Sequence, residues 1–269
     1  MEYKKIIVER DGGVVIIKLN NPERMNAGDP EMTRELNQEL DRTEADSESR
    51  VVVLTGVGKA FSGGYDMNVM KAQGREPPPR VQEHPYWARI DPAARQPLRS
   101  YTLRFRNFDR PIIAAVNGYS IGGLCLACDI RIASENAKFC FMYTKRGLSP
   151  AEGSSYLLPH IVGISNALEL AFTGDMIDAK EAERIGLVSK VVPHEQLMPA
   201  TMELAHRIAK NPPIAIGLTK YVMYKALQTS IEESMLLQNV AHTASTETED
   251  HKEGIRAYAE KRAPQFKGK

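Results

Sequence analysis

The chain has 269 residues, 42% of them apolar and 26% charged, with a formal net charge of +1 at neutral pH. That length suits one large domain, or one domain with an appendage, around a substantial core. The balanced charge, with no long single-sign run, speaks against a nucleic-acid surface or a polybasic membrane patch, and no apolar run is long enough to span a bilayer. Three cysteines, Cys125, Cys128 and Cys140, cannot all pair; together with an N-terminus lacking the apolar core of a signal peptide, they lead us to expect a reducing, cytoplasmic setting.

Two β-rich runs, Lys5 to Glu9 and Val14 to Leu19, flank Asp11-Gly12-Gly13 and predict a hairpin. From Pro30 the spacing of Met32, Leu36 and Leu40 predicts a helix capped by Asp29. Val51 to Gly56 reads as a buried strand and runs toward Phe61-Ser62-Gly63-Gly64-Tyr65-Asp66. Residues 74–97 are rich in proline and carry His84, Tyr86, Trp87 and Asp91; they predict an extended loop, either a surface excursion or a cover over a site. A short helix at Ser100 to Asn107 precedes a second buried strand from Ile112 to Val116. This one breaks at Asn117-Gly118 and again at Gly122-Gly123, then resumes as the apolar segment holding Cys125 and Cys128. With no His or second Cys pair at zinc spacing, that C-x-x-C reads as core.

Strands follow at Ile130 to Ala133 and around Phe139 to Tyr143, then a loop from Gly147 to Tyr156 that passes into a helix. Ser149 and Glu152 have capping-box spacing, which offers Glu152 a structural role. Helices are expected at Ala167 to Phe172 and at Ala179 to Ile185, the latter capped by Asp178, and a strand at Val188 to Val192. Beyond Pro193 only helical periodicity remains, in segments 195–210, 214–228, 231–241 and 252–262. The division expected is an α/β body over residues 1–195 and a helical region over 196–269.

The two strand–glycine turn–helix stretches share a physical consequence. A helix start leaves its first N–H groups without internal partners and carries partial positive charge, and glycine lets an electron-rich oxygen approach. Two such turns can each point one N–H at a single carbonyl oxygen, the geometry of an oxyanion hole. The other reading of each Gly-Gly is simply a tight connection.

Collinear motifs along nearly the whole chain resemble the enoyl-CoA hydratase/isomerase family, the crotonase superfamily. They are Asn21-Pro22-Glu23-Arg24-Met25-Asn26-Ala27, Phe61-Ser62-Gly63-Gly64-Tyr65-Asp66, Ala114-Ala115-Val116-Asn117-Gly118-Tyr119, Cys128-Asp129-Ile130-Arg131-Ile132-Ala133-Ser134 and Leu170-Ala171-Phe172-Thr173-Gly174-Asp175, with Ile185-Gly186-Leu187-Val188 and Tyr258-Ala259-Glu260-Lys261-Arg262 toward the end. The resemblance implies an α/β spiral of strand-strand-helix turns with a helical C-terminal region used in trimer contacts, giving a homotrimer or homohexamer. It also implies an acyl-CoA substrate, whose coenzyme A is part of the substrate rather than a separate cofactor, and no metal. The thioester oxygen is expected between the backbone N–H groups of Tyr65 and Gly123, each such donor being worth about 3–4 kcal/mol in other oxyanion holes. For coenzyme A the resemblance points to Arg24, Lys59, Gly63 and Asp66, with Phe266 and Lys267 reaching it from a neighbouring subunit.

Beyond the enolate the chain departs from the family pattern. Hydratases of the family carry two glutamates that activate water; here the first is missing from Gly122-Gly123-Leu124-Cys125-Leu126, and Tyr143 stands in place of the second. The segment from Gly123 to Asp129 is also about three residues short, close to one helical turn. Isomerase-type relatives place an acid in a Gly-Leu-x-Pro-Asp/Glu-Gly-Gly loop, which here reads Gly147-Leu148-Ser149-Pro150-Ala151-Glu152-Gly153, with the acid displaced by one. Glu152 is therefore the acid/base candidate and Tyr143 a second, as acid or hydroxyl partner. The expectation is isomerisation or hydration of an unsaturated acyl-CoA, with weak straight-chain hydratase activity. The alternatives are a thioester hydrolase and a non-catalytic acyl-CoA-binding protein; balanced charge disfavours an RNA-binding role.

Overall fold

The structure, a computed structural model, describes residues 3–66, 69 and 101–269. The proline-rich stretch 74–97, with His84, Tyr86, Trp87 and Asp91, lies outside them. Strands β1 (Ile6–Asp11) and β2 (Val14–Leu19) form the expected antiparallel hairpin, Asp11 opposite Val14 across the two glycines. Helix Pro30–Ala45 follows, its first turn closed by Met32 N–H donating to the Asp29 carboxylate at 2.8 Å.

From there the chain lays down strands two at a time. The first pair is β3 (Val51–Gly56) and β4 (Ala60–Ser62), the second β5 (Ile112–Val116) and β6 (Tyr119–Ile121), the third β7 (Ile130–Ser134) and β8 (Lys138–Cys140). The last are β9 (Met176–Asp178) and β10 (Lys190–Val192). One member of each pair enters a six-stranded sheet ordered β1-β2-β3-β5-β7-β10, and the other a four-stranded sheet ordered β4-β6-β8-β9. Successive strands are parallel except at β1/β2 and β8/β9. The chain thus winds as a spiral, adding a strand to each wall per turn.

The near-continuous apolar runs of β3 and β5 exist because the large sheet is covered on both faces. Val52, Leu54, Ile112, Ala114 and Val116 face the main core with Phe61, Leu124 and Phe139. Val51, Val53, Ile113 and Ala115, one residue out of phase, face helix Leu197–Ala209 through Leu197 and Ala205. The last three helices, Pro213–Ala226, Ile231–Thr246 and Glu249–Ala259, carry Met223, Ile231, Met235, Leu236, Val240 and Tyr258 exposed to solvent.

Two clamps fix this helical region. Lys220, on helix Pro213–Ala226, reaches Asp129 at 2.7 Å and the carbonyls of Phe105 and Arg110, while Tyr224 donates to the other Asp129 oxygen at 2.7 Å. Buried Asp250 takes the N–H groups of Lys267 and Gly268, and Glu253 takes that of Gln265, so the last residues fold back along helix Glu249–Ala259.

Candidate active site

The first glycine turn leaves β4 and makes a one-residue parallel bridge to Gly28. Gly28 N–H donates to Gly64 O at 2.7 Å and Asp66 N–H to Gly28 O at 2.9 Å. In such a ladder the residue between the two bonded groups points its own N–H the other way. The N–H of Tyr65 is therefore directed away from Gly28.

The second turn leaves β6. Gly122 adopts φ +82°, a left-handed conformation suited to glycine, and Gly123 is the N-cap of a helix reduced to Leu124–Ala127. This helix is one turn long, and all four of its residues are buried. The turns touch: a side-chain carbon on Gly122 would stand 3.8 Å from Gly64 Cα, and one on Gly64 3.2 Å from Ile121 O. At Gly123 such a carbon would stand 2.6 Å from Ser154 Oγ, so a larger residue there would require the Ser154 side chain to move.

Glu152 and Tyr143 both arrive at this junction. From the position of a Gly122 side-chain carbon, Tyr143 OH is 3.5 Å away and a Glu152 carboxylate oxygen 3.8 Å. Tyr143 follows β8, which ends at Cys140 rather than running to residue 143, and its hydroxyl shares a 3.0 Å hydrogen bond with the buried Ser154 hydroxyl. Burial raises the Tyr143 phenol and the Glu152 carboxylate adds to that, against the Ser154 hydroxyl and the Gly123 N–H, leaving it pushed up to about 12.

The capping-box expectation for Glu152 is overturned. The helix begins at Ser154, not Pro150, with Gly153 as its N-cap and no side-chain cap bond. Glu152 lies before it in left-handed backbone, φ +56°, followed by Gly153 at φ +79°. Two left-handed residues in succession cannot belong to a right-handed first turn. The carboxylate is thereby released from a backbone role, while the Glu152 carbonyl accepts from Thr102 Oγ1 at 2.6 Å.

A cavity of about 510 Å³ opens here, lined by Gly64, Tyr65, Leu124, Glu152, Gly153 and Tyr101, with Met32 and Leu36 supplying apolar wall. Tyr101, the first residue of helix Tyr101–Asn107, is a residue the sequence reading missed. Burial pushes its phenol well above the usual range, and the nearby Glu152 carboxylate pushes it further. Ser154 was missed too, lying one position past the Gly147–Gly153 loop that the motif singles out. Tyr101 had no signal, being 51 residues from its partner.

Of the residues expected at coenzyme A, Arg24, Gly63 and Asp66 come together beside Tyr65. Arg24 pairs with the nearly buried Asp66 carboxylate at 3.1 Å, and a side-chain carbon on Gly63 would meet the carbonyls of Arg24 and Met25 at 3.2 and 3.1 Å. Lys59 is exposed in the turn before β4. Phe266 and Lys267 lie in the C-terminal tail, Phe266 near Gly254 and Lys267 held through its N–H by Asp250, and neither lines the cavity. All three cysteines are buried and free. Among the described residues no group of three or more His, Cys, Asp or Glu side chains is placed to hold a metal.

The chain is similar to known proteins over nearly its whole length. The family model for enoyl-CoA hydratase/isomerase matches residues 9–269. The short-chain-enoyl-CoA hydratase of Clostridium acetobutylicum is 34% identical over 266 residues, covering 97% of each chain. The 1,2-epoxyphenylacetyl-CoA isomerase of Escherichia coli is 32% identical over 272 residues, covering both chains fully. Among solved structures, an enoyl-CoA hydratase of Geobacillus kaustophilus superposes with a TM-score of 0.86 at 35% identity over the full length of both chains. The chain belongs to the enoyl-CoA hydratase/isomerase family and has its spiral α/β fold with a helical C-terminal region.

Proposed function

We propose that the protein binds an unsaturated acyl-CoA with its thioester oxygen between the N–H groups of Tyr65 and Gly123, and that Glu152 moves a proton between two carbons of the enolate so formed. In the double-bond shift, Glu152 takes a proton from the carbon adjacent to the alkene, the C–H electron pair delocalises onto the thioester oxygen, and the proton returns at the far end of the allylic system. The observation that carries this reading is the Glu152 carboxylate standing at the contact of the two glycine turns, 3.8 Å from the position of a Gly122 side-chain carbon, on a backbone that serves no cap. Tyr143, neutral at physiological pH and held by Ser154 beside the Gly123 N–H, supplies a further hydroxyl to the enolate oxygen.

Hydration is the second reading, favoured by relatives such as the Clostridium acetobutylicum enzyme and the (E)-benzylidenesuccinyl-CoA hydratase of Thauera aromatica, 36% identical over 267 residues. Leu126 and Tyr143 provide no pair of carboxylates for water, so straight-chain hydration is expected to be slow. Coenzyme A enters as part of the substrate, approached by Arg24, Lys59, Gly63 and Asp66. The exposed apolar residues of the last helices support subunit contacts in a trimer or hexamer, with Phe266 and Lys267 offered to a neighbour's coenzyme A. Residues 1–195 form the catalytic spiral in this reading and 196–269 the assembly region. No described helix is long and apolar enough to cross a membrane, and the free cysteines suit a reducing, cytoplasmic setting.

The deciding experiment is a panel of acyl-CoAs read by mass spectrometry. Unchanged mass with a moved double bond supports isomerisation; a gain of water at rates typical of good hydratases overturns the inference from the missing glutamates. Loss of coenzyme A indicates hydrolysis, and binding without product a non-catalytic role.

A further inference from the structure

Glu152 is the carboxylate on which the proposed chemistry turns, and its backbone and side chain are both approached from one short helix. At the start of Tyr101–Asn107, Thr102 Oγ1 donates to the Glu152 carbonyl at 2.6 Å and Tyr101 sets its phenol beside the Glu152 carboxylate. The fit continues at Gly153, where a side-chain carbon would stand 2.7 Å from Thr102 Cγ2. A non-glycine residue at φ +56° is a costly conformation that persists only where neighbours over-determine it. Tyr101 and Glu152 both line the cavity between the glycine turns.

Resting on the role proposed for Glu152, we propose that Tyr101 is its positioning residue: the phenol donates to one carboxylate oxygen and so holds the other toward the substrate carbon. The carboxylate of a glutamate has three rotatable bonds, and a base that must meet a carbon-bound proton gains most from being held in one rotamer. Among the described residues, Tyr101 from its helix, Tyr143 after β8 and the buried Cys125 thiol from the one-turn helix face this carboxylate or its phenol partners. None of these three is a cation, so Tyr101 orients Glu152 by hydrogen bonding rather than by ion pairing. It leaves the proton inventory of the reaction unchanged, since Glu152 takes one proton and gives one back in each turnover, and exchange of that proton with solvent while it is on the carboxyl brings deuterium to carbon.

The test uses the full-length protein and 3-butenoyl-CoA in deuterium oxide, following deuterium entry at carbon and conversion to crotonyl-CoA by mass spectrometry. Tyr101→Phe is expected to lower kcat about 10-fold to 30-fold with KM within twofold of the parent, the split expected of a group that acts on the transition state. In a Glu152→Gln background, Tyr101→Phe is expected to cost less than twofold, because the residue it positions is gone. Equal losses in both backgrounds, or no loss in the first, overturn the positioning role while leaving Glu152 as the base. Wild-type exchange by Glu152→Gln alone overturns the proposed function instead. If Tyr101→Phe does not fold, Tyr101→Leu, which likewise lacks a donor, is judged by the same pair of backgrounds.

Discussion

Asp129 and Glu152 are both carboxylates set beside a phenol, and the company each keeps separates their roles. Asp129 accepts from Lys220 at 2.7 Å, from Ile112 N–H at 2.7 Å and from Tyr224 at 2.7 Å, so a cation and two neutral donors surround it. Among the described residues, Glu152 has the phenol of Tyr101 and, beyond it, a cavity. A saturated carboxylate fastens one element to another; Asp129 ties helix Pro213–Ala226 to β5 and β7. An unsaturated one with a cavity in front of it is free to take a proton from something else.

The largest expected effect separates activity from stability. Glu152→Gln is expected to lower turnover 10²-fold to 10⁴-fold, the usual worth of a positioned acid/base group, while shifting the urea midpoint little, because no backbone cap is lost. A large loss of stability without loss of turnover would make Glu152 a second Asp129. Lys220→Met is expected to do the reverse: it strands a mostly buried Asp129 carboxylate, with a cost of about 3–5 kcal/mol in urea unfolding. An unfolding curve matching the parent would show the clamp to be dispensable.

Smaller effects sharpen the contrast between the phenols. Because the Tyr143 phenol is raised to about 12 from an ordinary 10, the unfolded chain releases its proton first as pH rises. Stability should therefore be intact below pH 10 and fall between pH 10 and 12, by at most about 1.4 kcal/mol per pH unit from this group; guanidine titrations comparing Tyr143→Phe with the parent isolate it. Tyr224→Phe is expected to cost about 1–2 kcal/mol, the price of one unmade bond to a partly buried carboxylate that keeps its lysine. Thermal melts at fixed protein concentration measure it.

The fold was legible wherever local chemistry decided the outcome. Asp11-Gly12-Gly13 gave its hairpin, Asp29-Pro30 its helix start, and the apolar runs at 51–56 and 112–116 their strands, because turn residues, caps and burial act within a few positions. The glycine turns were legible for the same reason. Ser149-x-x-Glu152 misled because a capping box needs a helix beginning immediately after the Ser, and here two left-handed residues delay it to Ser154. Tyr101 and the Asp129–Lys220–Tyr224 cluster became visible only in three dimensions, since partners 51 to 95 residues apart leave no periodic trace in the chain.

The one-turn helix Leu124–Ala127 places Cys125 within the support of the second glycine turn and Cys128 at its end, where Cys128 Sγ reaches Leu124 O at 3.8 Å. Both thiols are buried, and burial pushes both above the ordinary thiol range, Cys128 well above it. Thiolates are the reactive form, so an alkylating reagent has little to meet in the closed molecule. Labelling at these two sulfurs consequently reports how often the floor beneath Gly123 comes apart, and a ligand gripping the Gly123 N–H should slow it: the helix carries its own chemical clock.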